Sequence, residues 1–225
     1  MLLFLNKHRP MSLNDLVFPN NTIEQEIRRY VSQRIPRSLI LYGPFGSGKS
    51  MIIDVIARVL SGDGYEHNRT LFFSATEKDT VAKIATIRKT FDLVPFGSSY
   101  HVAQINELHT MPANTQVVLR DVLDTCQNYS NAVILATAND LSKVDGGVRD
   151  RCAIMYVGEA SPDRWLPRTK QILAREKVVL PDDIVLQQLT NAVGNGRGSI
   201  RTIMATLHAL VEQAREFASQ PETSP

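Results

Sequence analysis

The stretch Ser38-Leu39-Ile40-Leu41-Tyr42-Gly43-Pro44-Phe45-Gly46-Ser47-Gly48-Lys49-Ser50 decides the fold of this chain. Its first five residues form a short apolar run typical of a buried strand, and the apolar pattern from Met51 to Leu60 predicts a helix. Between them, residues 43–50 fit the pattern G-x-x-x-x-G-K-[ST] in full. A glycine-rich turn with an accidental lysine is the alternative. The agreement of residue type, spacing and flanking elements argues against it.

This loop has the chemistry of a nucleotide-phosphate site. Its glycines let the backbone curl so that N–H groups point at phosphate oxygens, and the helix N-terminus adds a favourable field for an anion. Lys49 is expected to reach the β and γ phosphates, and Ser50 to ligate Mg²⁺. We therefore predict that residues 43–50 bind ATP together with Mg²⁺.

Strand and helix patterns alternate along the first 158 residues. Besides residues 38–42, apolar runs typical of strands lie at 70–73, 101–105, 131–136 and 153–156. Helical patterns lie near 22–34, 49–60, 80–91 and 112–126. This alternation predicts an α/β domain with a parallel five-stranded sheet that helices cover on both faces.

The pattern changes after Val157, where the strands stop. Helix starts are indicated at Ser161-Pro162, at Pro181 and near Gly198-Ser199, and the last of these segments has its apolar residues on one helical face. We predict a nucleotide-binding domain over residues 1–158, an all-α three-helix lid domain over 159–218, and a disordered tail over 219–225.

Composition narrows the class of protein further. The 225 residues contain 25 Lys and Arg against 23 Asp and Glu, which excludes a strongly basic nucleic-acid-binding tail but leaves room for a local basic face. The two cysteines, Cys126 and Cys152, have no zinc-site spacing. No apolar run reaches the roughly 20 residues of a membrane-spanning helix. We expect a cytoplasmic protein with reduced thiols and no membrane partner.

Hydrolysis of a nucleotide needs an acidic group near the metal and a group that positions water. The strand at 101–105 is followed by Asn106 and Glu107. Glu107 can polarise the attacking water, whereas Asn106 stands where a carboxylate is expected and brings no charge to the metal. Asn139, after the fourth strand, can hold the water or the γ phosphate. Ordinary turns at both strand ends are the alternatives.

In this order the motifs resemble those of the AAA+ ATPases of the sliding-clamp-loader family, over about residues 6–215. That family includes replication factor C small subunits, phage clamp-loader subunits and the γ/τ subunit of bacterial DNA polymerase III. The opening Lys7-His8-Arg9-Pro10-Met11-Ser12-Leu13-Asn14-Asp15-Leu16-Val17 is similar to the family's K-Y-R-P-x-x-[LF]-x-[DE]-[VL]-[VI], with His8 at the usual Tyr. The resemblance implies that Arg9 and Val17 lie beside the nucleotide.

Two boxes in the first domain are similar to family motifs near the phosphates. Asn106-Glu107-Leu108-His109 matches D-E-x-[DH] with its first Asp changed, which implies a metal-side position for Asn106. Thr137-Ala138-Asn139-Asp140 matches the sensor-1 segment, which makes Asn139 the sensor. A charge-assisted contact is about twice as strong as a neutral one, so Asn106 predicts good ATP binding with slow hydrolysis.

Two further boxes imply roles for arginines. Arg149-Asp150-Arg151-Cys152 matches the S-R-C box with Asp150 in place of Ser, so Arg151 would be an arginine finger that reaches the neighbouring subunit's ATP site. Gly198-Ser199-Ile200-Arg201 is similar to G-D-[LI]-R, which makes Arg201 the sensor-2 arginine. A plain surface arginine is the alternative for both. A cation in a helix's first turn is electrostatically disfavoured, which argues that Arg201 has a task.

The helix at 80–91 is the candidate DNA contact. Val81, Ile84, Ile87 and Phe91 are predicted to share its apolar face, with Lys83 and Lys89 projecting away and Arg88 closer to the apolar residues. The resemblance implies that Lys83, Lys89 and Arg88 contact DNA phosphates independently of base sequence. For Arg88, contact with a neighbouring strand end is the alternative. A solvated helix face is the alternative.

The function implied is ATP hydrolysis by a clamp-loader-type subunit in DNA replication, which works with itself or with related AAA+ subunits in a ring or spiral, on DNA and on a sliding clamp. The chain ends about where the family's helical collar domain would begin, which is expected either of a relative without a collar or of a truncated chain. A missing collar favours the alternative of a helicase-loader or transposition-type ATPase. Asn106 favours a third alternative, an ATP-binding scaffold subunit with weak hydrolysis.

Overall fold

The computed structural model describes residues 2–33, 37–65, 69–74, 80–95, 97, 100–129, 131–194 and 199–219. In chain order the elements are α1 (Leu2–Lys7), α2 (Asn21–Val31), β1 (Leu39–Tyr42), α3 (Lys49–Ser61), β2 (Arg69–Ser74), α4 (Thr80–Phe91), β3 (His101–Asn106), α5 (Ala113–Asn128), β4 (Ala132–Ala138), α6 (Gly146–Asp150), β5 (Ala153–Tyr156), α7 (Pro162–Arg175), α8 (Asp182–Gly194) and α9 (Ile200–Ser219).

The five strands form one parallel sheet in the order β2-β3-β4-β1-β5. The predicted fold class is confirmed. At the end of β1, Tyr42 is in register with Ala138 of β4 and Tyr156 of β5. The carboxyl ends of these strands therefore meet at one edge of the sheet, and the loops that follow them lie close together.

Two apolar layers cover the sheet because successive strand residues point to opposite faces. Ile40 packs with α4, α5 and α6 on one face, while Leu39 and Leu41 pack with α2 and α3 on the other. The central strands are buried on both sides, which explains their nearly continuous apolar sequences. At the sheet edge, β5 leaves Ile154 and Tyr156 exposed.

A third apolar cluster holds α7, α8 and α9 together around Trp165, Leu189 and Leu207. Phe4 of α1 belongs to this cluster and not to those of the sheet. The sequence assigned residues 1–158 to one domain, yet the first helix packs on the C-terminal helices. The two domain ranges stay predictions, and residues 220–225 of the predicted tail lie outside the described residues.

Candidate active site

The loop between β1 and α3 is shaped by glycines with positive φ angles. Gly46 has φ 78° and Gly48, the N-cap of α3, has φ 90°. A Cβ atom on Gly46 would lie 2.4 Å from Cβ of Ser199, and one on Gly48 would lie 2.5 Å from Cδ1 of Ile200. The Ile200 N–H donates to the Gly46 carbonyl at 2.9 Å. The glycines thus allow both the curl of the loop and the close approach of α9.

Lys49 is held inside this loop. Its Nζ donates to the carbonyl oxygens of Gly43 at 2.9 Å and Pro44 at 2.6 Å, and the residue is only 5% exposed. Burial lowers the pKa of Lys49 to about 8, although the Glu107 carboxylate opposes the shift. Near neutral pH the ammonium is still charged, and it is poorly solvated. An anion beside it would compensate for that loss of solvation.

At the end of β3, Asn106 and Glu107 make hydrogen bonds to β4 that the predicted metal site did not include. Glu107 has a left-handed backbone, with φ 57°, and its N–H donates to Thr137 Oγ1 at 3.1 Å. The Thr137 hydroxyl in turn donates to Oδ1 of Asn106 at 3.3 Å. The Asn106 oxygen therefore binds the next strand, and a role for Asn106 at a metal ion stays a prediction.

One pocket at the carboxyl edge of the sheet brings most of the predicted site residues together. It is lined by Lys49, Ser50, Glu107, Asn139 and Arg201, with the exposed Phe45 at its side. These residues come from the loop after β1, the ends of β3 and β4, and the first turn of α9. Asn106 is not among the described residues that line it.

Two supporting side chains were not singled out in the sequence. Thr137 is 3% exposed and joins the ends of β3 and β4 through its hydroxyl. The Nδ1 atom of His109 accepts a hydrogen bond from the Asn139 N–H at 3.2 Å. Burial lowers the pKa of His109, although the Glu107 carboxylate opposes the shift. The lower pKa favours the neutral ring, which can accept this hydrogen bond. Both residues lie inside the quoted boxes, so their positions were the available signal.

A second, mainly apolar pocket lies behind the loop. Its lining includes Leu5, Val17, Met51, Trp165 and Ile172, with Ser47 and Gly48 of the loop at one end. Val17 lines this pocket, and its place beside a nucleotide stays a prediction. Arg9 is not among the described lining residues: its Nη2 donates to Oδ2 of Asp54 on α3 at 2.8 Å. The buried Asp54 carboxylate explains why Arg9 points towards α3.

Buried polar contacts tie the N-terminal segment to the C-terminal helices around this pocket. Arg168 of α7 donates to Asp15 Oδ1 at 2.7 Å and to the His8 carbonyl at 3.1 Å. The His8 Nε2 atom lies 2.5 Å from Oε1 of Glu176, which also pairs with Lys7 at 2.7 Å. The hydrogen bond from Lys7 lowers the pKa of Glu176 below its usual value despite burial.

Arg151 lies away from the pocket of Lys49 and Glu107. That pocket is at the carboxyl ends of the strands, whereas Arg151 is near their amino ends. It precedes β5, whose first residue pairs with the first residue of β1, whereas Lys49 follows the end of β1. A four-residue strand, roughly 13 Å long, separates the two edges. The Nε and Nη2 atoms of Arg151 donate to Asp124 at 2.6 and 2.8 Å, and this pairing raises the pKa of the guanidinium further.

The candidate DNA contacts lie on α4, whose buried face is narrower than predicted. Ile84, Ile87 and Phe91 are buried, but Val81 is 45% exposed, so its placement on the apolar face was wrong. Lys89 and Arg88 are exposed and Lys83 is half-buried. The DNA role of these three residues stays a prediction.

The described ranges contain neither a membrane-spanning helix nor a cluster of metal-binding side chains. None of the helices within them combines the length and apolar character that crossing a membrane requires. Likewise, no three or more His, Cys, Asp or Glu side chains within those ranges are grouped so that they could hold a metal ion.

Known proteins of similar sequence show the same resemblance as the motifs of the site. The human (Homo sapiens) replication factor C subunit 5 is 25% identical over 90% of this chain and 59% of its own length. The replication factor C small subunit of Haloarcula marismortui is 24% identical over 90% of this chain and 61% of its own length. The chain spans about 60% of the length of these curated relatives. They confirm the resemblance to clamp-loader ATPases that the motifs indicated.

The fold has solved counterparts. A Thermotoga maritima RuvB Holliday junction branch migration motor matches with a TM-score of 0.71 and 16% identity, covering 93% of this chain and 65% of its own. At that identity the likeness shows the fold alone. The model of the ATPase family associated with various cellular activities (AAA) matches residues 39–159, from β1 to just beyond β5. With the phosphate loop, Glu107 and Asn139 all inside this match, the chain belongs to the AAA family of ATPases.

Proposed function

We propose that this chain is a clamp-loader-type subunit that binds ATP with Mg²⁺, hydrolyses it, and acts in DNA replication within a ring or spiral of the same or related subunits. Nucleotide binding follows from membership of the ATPase family. The observation that carries hydrolysis is the pocket in which Lys49, Glu107, Asn139 and Arg201 converge, and the similarity to replication factor C subunits supports the clamp-loader role.

Each residue of the pocket has a task that its chemistry allows. Lys49 exchanges its bonds to loop carbonyls for the β and γ phosphates, which gives the poorly solvated ammonium an anionic partner. Glu107 polarises the attacking water, and Asn139, fixed through His109, holds that water or the γ phosphate. Arg201 supplies a second positive charge from α9 as charge develops on the phosphoryl group.

The donors in the pocket fit a magnesium ion that arrives with the nucleotide. Ser50 offers an exposed hydroxyl and Glu107 a carboxylate, while the phosphates and water supply the other oxygens that Mg²⁺ prefers. Such an ion neutralises phosphate charge when it is bound. Asn106, with its oxygen on Thr137, would add a neutral ligand only after that bond is exchanged.

The three C-terminal helices act in this proposal as a lid over the nucleotide. Residues 1–158 and 159–218 are the two proposed domains, and the apolar pocket that Val17 and Trp165 line is offered to the base. Support comes from the bond between Ile200 and Gly46, which places the start of α9 directly on the phosphate loop.

A second candidate is an ATP-binding scaffold subunit that hydrolyses slowly. The engagement of Asn106 with Thr137 favours it, because the pocket then offers the metal one carboxylate instead of two. ATP affinity would be the same in both cases, and only turnover separates them.

The test is steady-state ATP hydrolysis by the purified chain, alone and with primer–template DNA, with Glu107→Gln as the matched control. The proposal expects DNA-stimulated turnover that Glu107→Gln abolishes while ATP still binds. ATP binding without turnover in the parent would favour the scaffold. Capture of the chain by a sliding clamp in the presence of ATP separates the clamp-loader role from that of a helicase loader or transposition ATPase.

A further inference from the structure

Arg151 is held by a fixed set of hydrogen bonds. Its Nε and Nη2 donate to the two carboxylate oxygens of Asp124 at 2.6 and 2.8 Å, and its Nη1 donates to the Gly147 carbonyl at 2.8 Å. A guanidinium has five N–H donors in a flat fork. Among the described residues, the three bonds therefore leave two donors, one on each Nη nitrogen.

The pair has little to do with stability. The Asp124 side chain is 51% exposed and that of Arg151 is 30% exposed, and exposed ion pairs typically contribute little to folding. Two-point pairing of a guanidinium with a carboxylate instead fixes direction, because both partners are planar and their edges must align. The Gly147 carbonyl adds a third point and defines the plane of the fork.

The position of the Arg151–Asp124 pair in the fold determines which anion Arg151 can reach. Asp124 lies in the last turns of α5, and Arg151 lies between α6 and β5, so two separate elements of the chain meet at the pair. The pair lies at the edge of the sheet opposite Lys49, so the two remaining donors cannot serve the chain's own phosphate loop. They are available to an anion on a neighbouring molecule.

We propose that Asp124 is a positioning residue that orients Arg151 so that its two remaining N–H donors face the γ phosphate bound by the neighbouring subunit. This inference rests on the proposed function and on the prediction from the sequence that Arg151 is an arginine finger acting on that phosphate. Asp124 does not touch the nucleotide: it restricts the rotamers of Arg151 before the subunits meet, so that less freedom is lost as the phosphoryl group is transferred.

The experiment measures this orientation through a mixture of two inactive subunits. An Arg151→Ala subunit keeps its phosphate loop, and a Lys49→Ala subunit supplies only its Arg151. Hydrolysis by the mixture then reports on Arg151 acting across the interface. Adding Asp124→Ala to the Lys49→Ala subunit should lower turnover by up to about 100-fold, which is what misplacing a catalytic group by about 1 Å can cost. The KM for ATP should stay unchanged, because the loop that binds it is untouched.

Asp121 provides the matched control on the same helix. It is exposed and acts on Arg151 only through its charge, so Asp121→Ala removes an equal charge without removing a hydrogen bond. Added to the Lys49→Ala subunit, it should leave turnover near that of the unmodified mixture. Asp124→Glu, which keeps a carboxylate, should restore part of the rate that Asp124→Ala loses. Both variants should unfold at the parent's temperature.

Equal turnover with Asp124→Ala and with Asp121→Ala would overturn the inference, whether both are fast or both are slow. Failure of Asp124→Glu to restore any rate would also contradict it. If the unmodified mixture assembles and yet hydrolyses no ATP, Arg151 does not act in trans. That result removes the proposed role of Arg151 and the inference with it, and it differs visibly from a loss confined to Asp124→Ala.

Discussion

The contact between the phosphate loop and α9 can be tested by adding one methyl group at Gly46. A Cβ atom there would lie 2.4 Å from Cβ and 3.0 Å from Cα of Ser199. Because a backbone atom is involved, rotation of the Ser199 side chain cannot relieve the clash. The first turn of α9 must move, and the bond from Ile200 N–H to the Gly46 carbonyl is strained or lost.

Two costs add up in Gly46→Ala. A side chain at φ 78° costs about 1–3 kcal/mol in backbone strain. Overpacking against Ser199 adds about 1–3 kcal/mol, and loss of one hydrogen bond about 0.5–1.5 kcal/mol. Gly62 provides the matched control, because it has φ 53° but a Cβ there would meet nothing within 4 Å among the described residues. Gly62→Ala therefore incurs only the backbone cost.

Urea unfolding followed by the fluorescence of Trp165, the only tryptophan, measures the difference. The free energy of unfolding should fall by about 1.5–4.5 kcal/mol more in Gly46→Ala than in Gly62→Ala. Displacement of α9 should also move Arg201 and lower ATP turnover in Gly46→Ala alone. Equal losses of stability in the two variants would refute the contact between the loop and α9.

Three other changes test separate parts of the site. Asn106→Asp should raise ATP turnover and lower the Mg²⁺ concentration that supports it, because a carboxylate binds the ion more strongly than an amide; identical Mg²⁺ titrations of variant and parent would contradict this. Lys83→Ala with Lys89→Ala should weaken DNA binding alike for all base sequences and flatten its salt dependence, with ATP affinity intact; an unchanged salt slope would place the DNA surface elsewhere. Burial lowers the pKa of Lys49 from 10.5 to about 8, so between pH 8 and 10.5 the unfolded chain binds more protons than the folded one. The free energy of unfolding of the parent, relative to Lys49→Met, should therefore rise with pH through that window. A pH-independent difference would argue against the buried lysine.

Much of the sheet follows from local sequence, and the exceptions have physical reasons. The central strands β1 and β4 were predictable because parallel strands buried on both faces are apolar nearly throughout. Helix α1 has six residues and α6 has five, which is too short for a helical period to show. The exposure of Val81 could not be predicted, because the spacing of apolar residues does not show which of them the rest of the fold covers.

The candidate site also has some features that the sequence predicts and others that only the fold shows. Lys49, Glu107 and Asn139 converge because each follows a strand of one parallel sheet, which the order of motifs already implies. The bond of Arg9 to Asp54 could not be predicted, because nothing in the local sequence marks Asp54 as a buried carboxylate. The pairing of Arg151 with Asp124 joins residues 27 positions apart on different elements, so only the three-dimensional fold shows it.

The central claim is that nucleotide binds at the loop of residues 43–50, with Lys49 on its phosphates. Calorimetric titration of ATP and of adenosine into the parent and into Lys49→Ala tests this most directly, with folding checked by circular dichroism. The account predicts that Lys49→Ala loses most of its ATP affinity, while the much weaker binding of adenosine, which has no phosphates, is the same in both proteins. Unchanged ATP affinity in a folded Lys49→Ala protein would contradict the account.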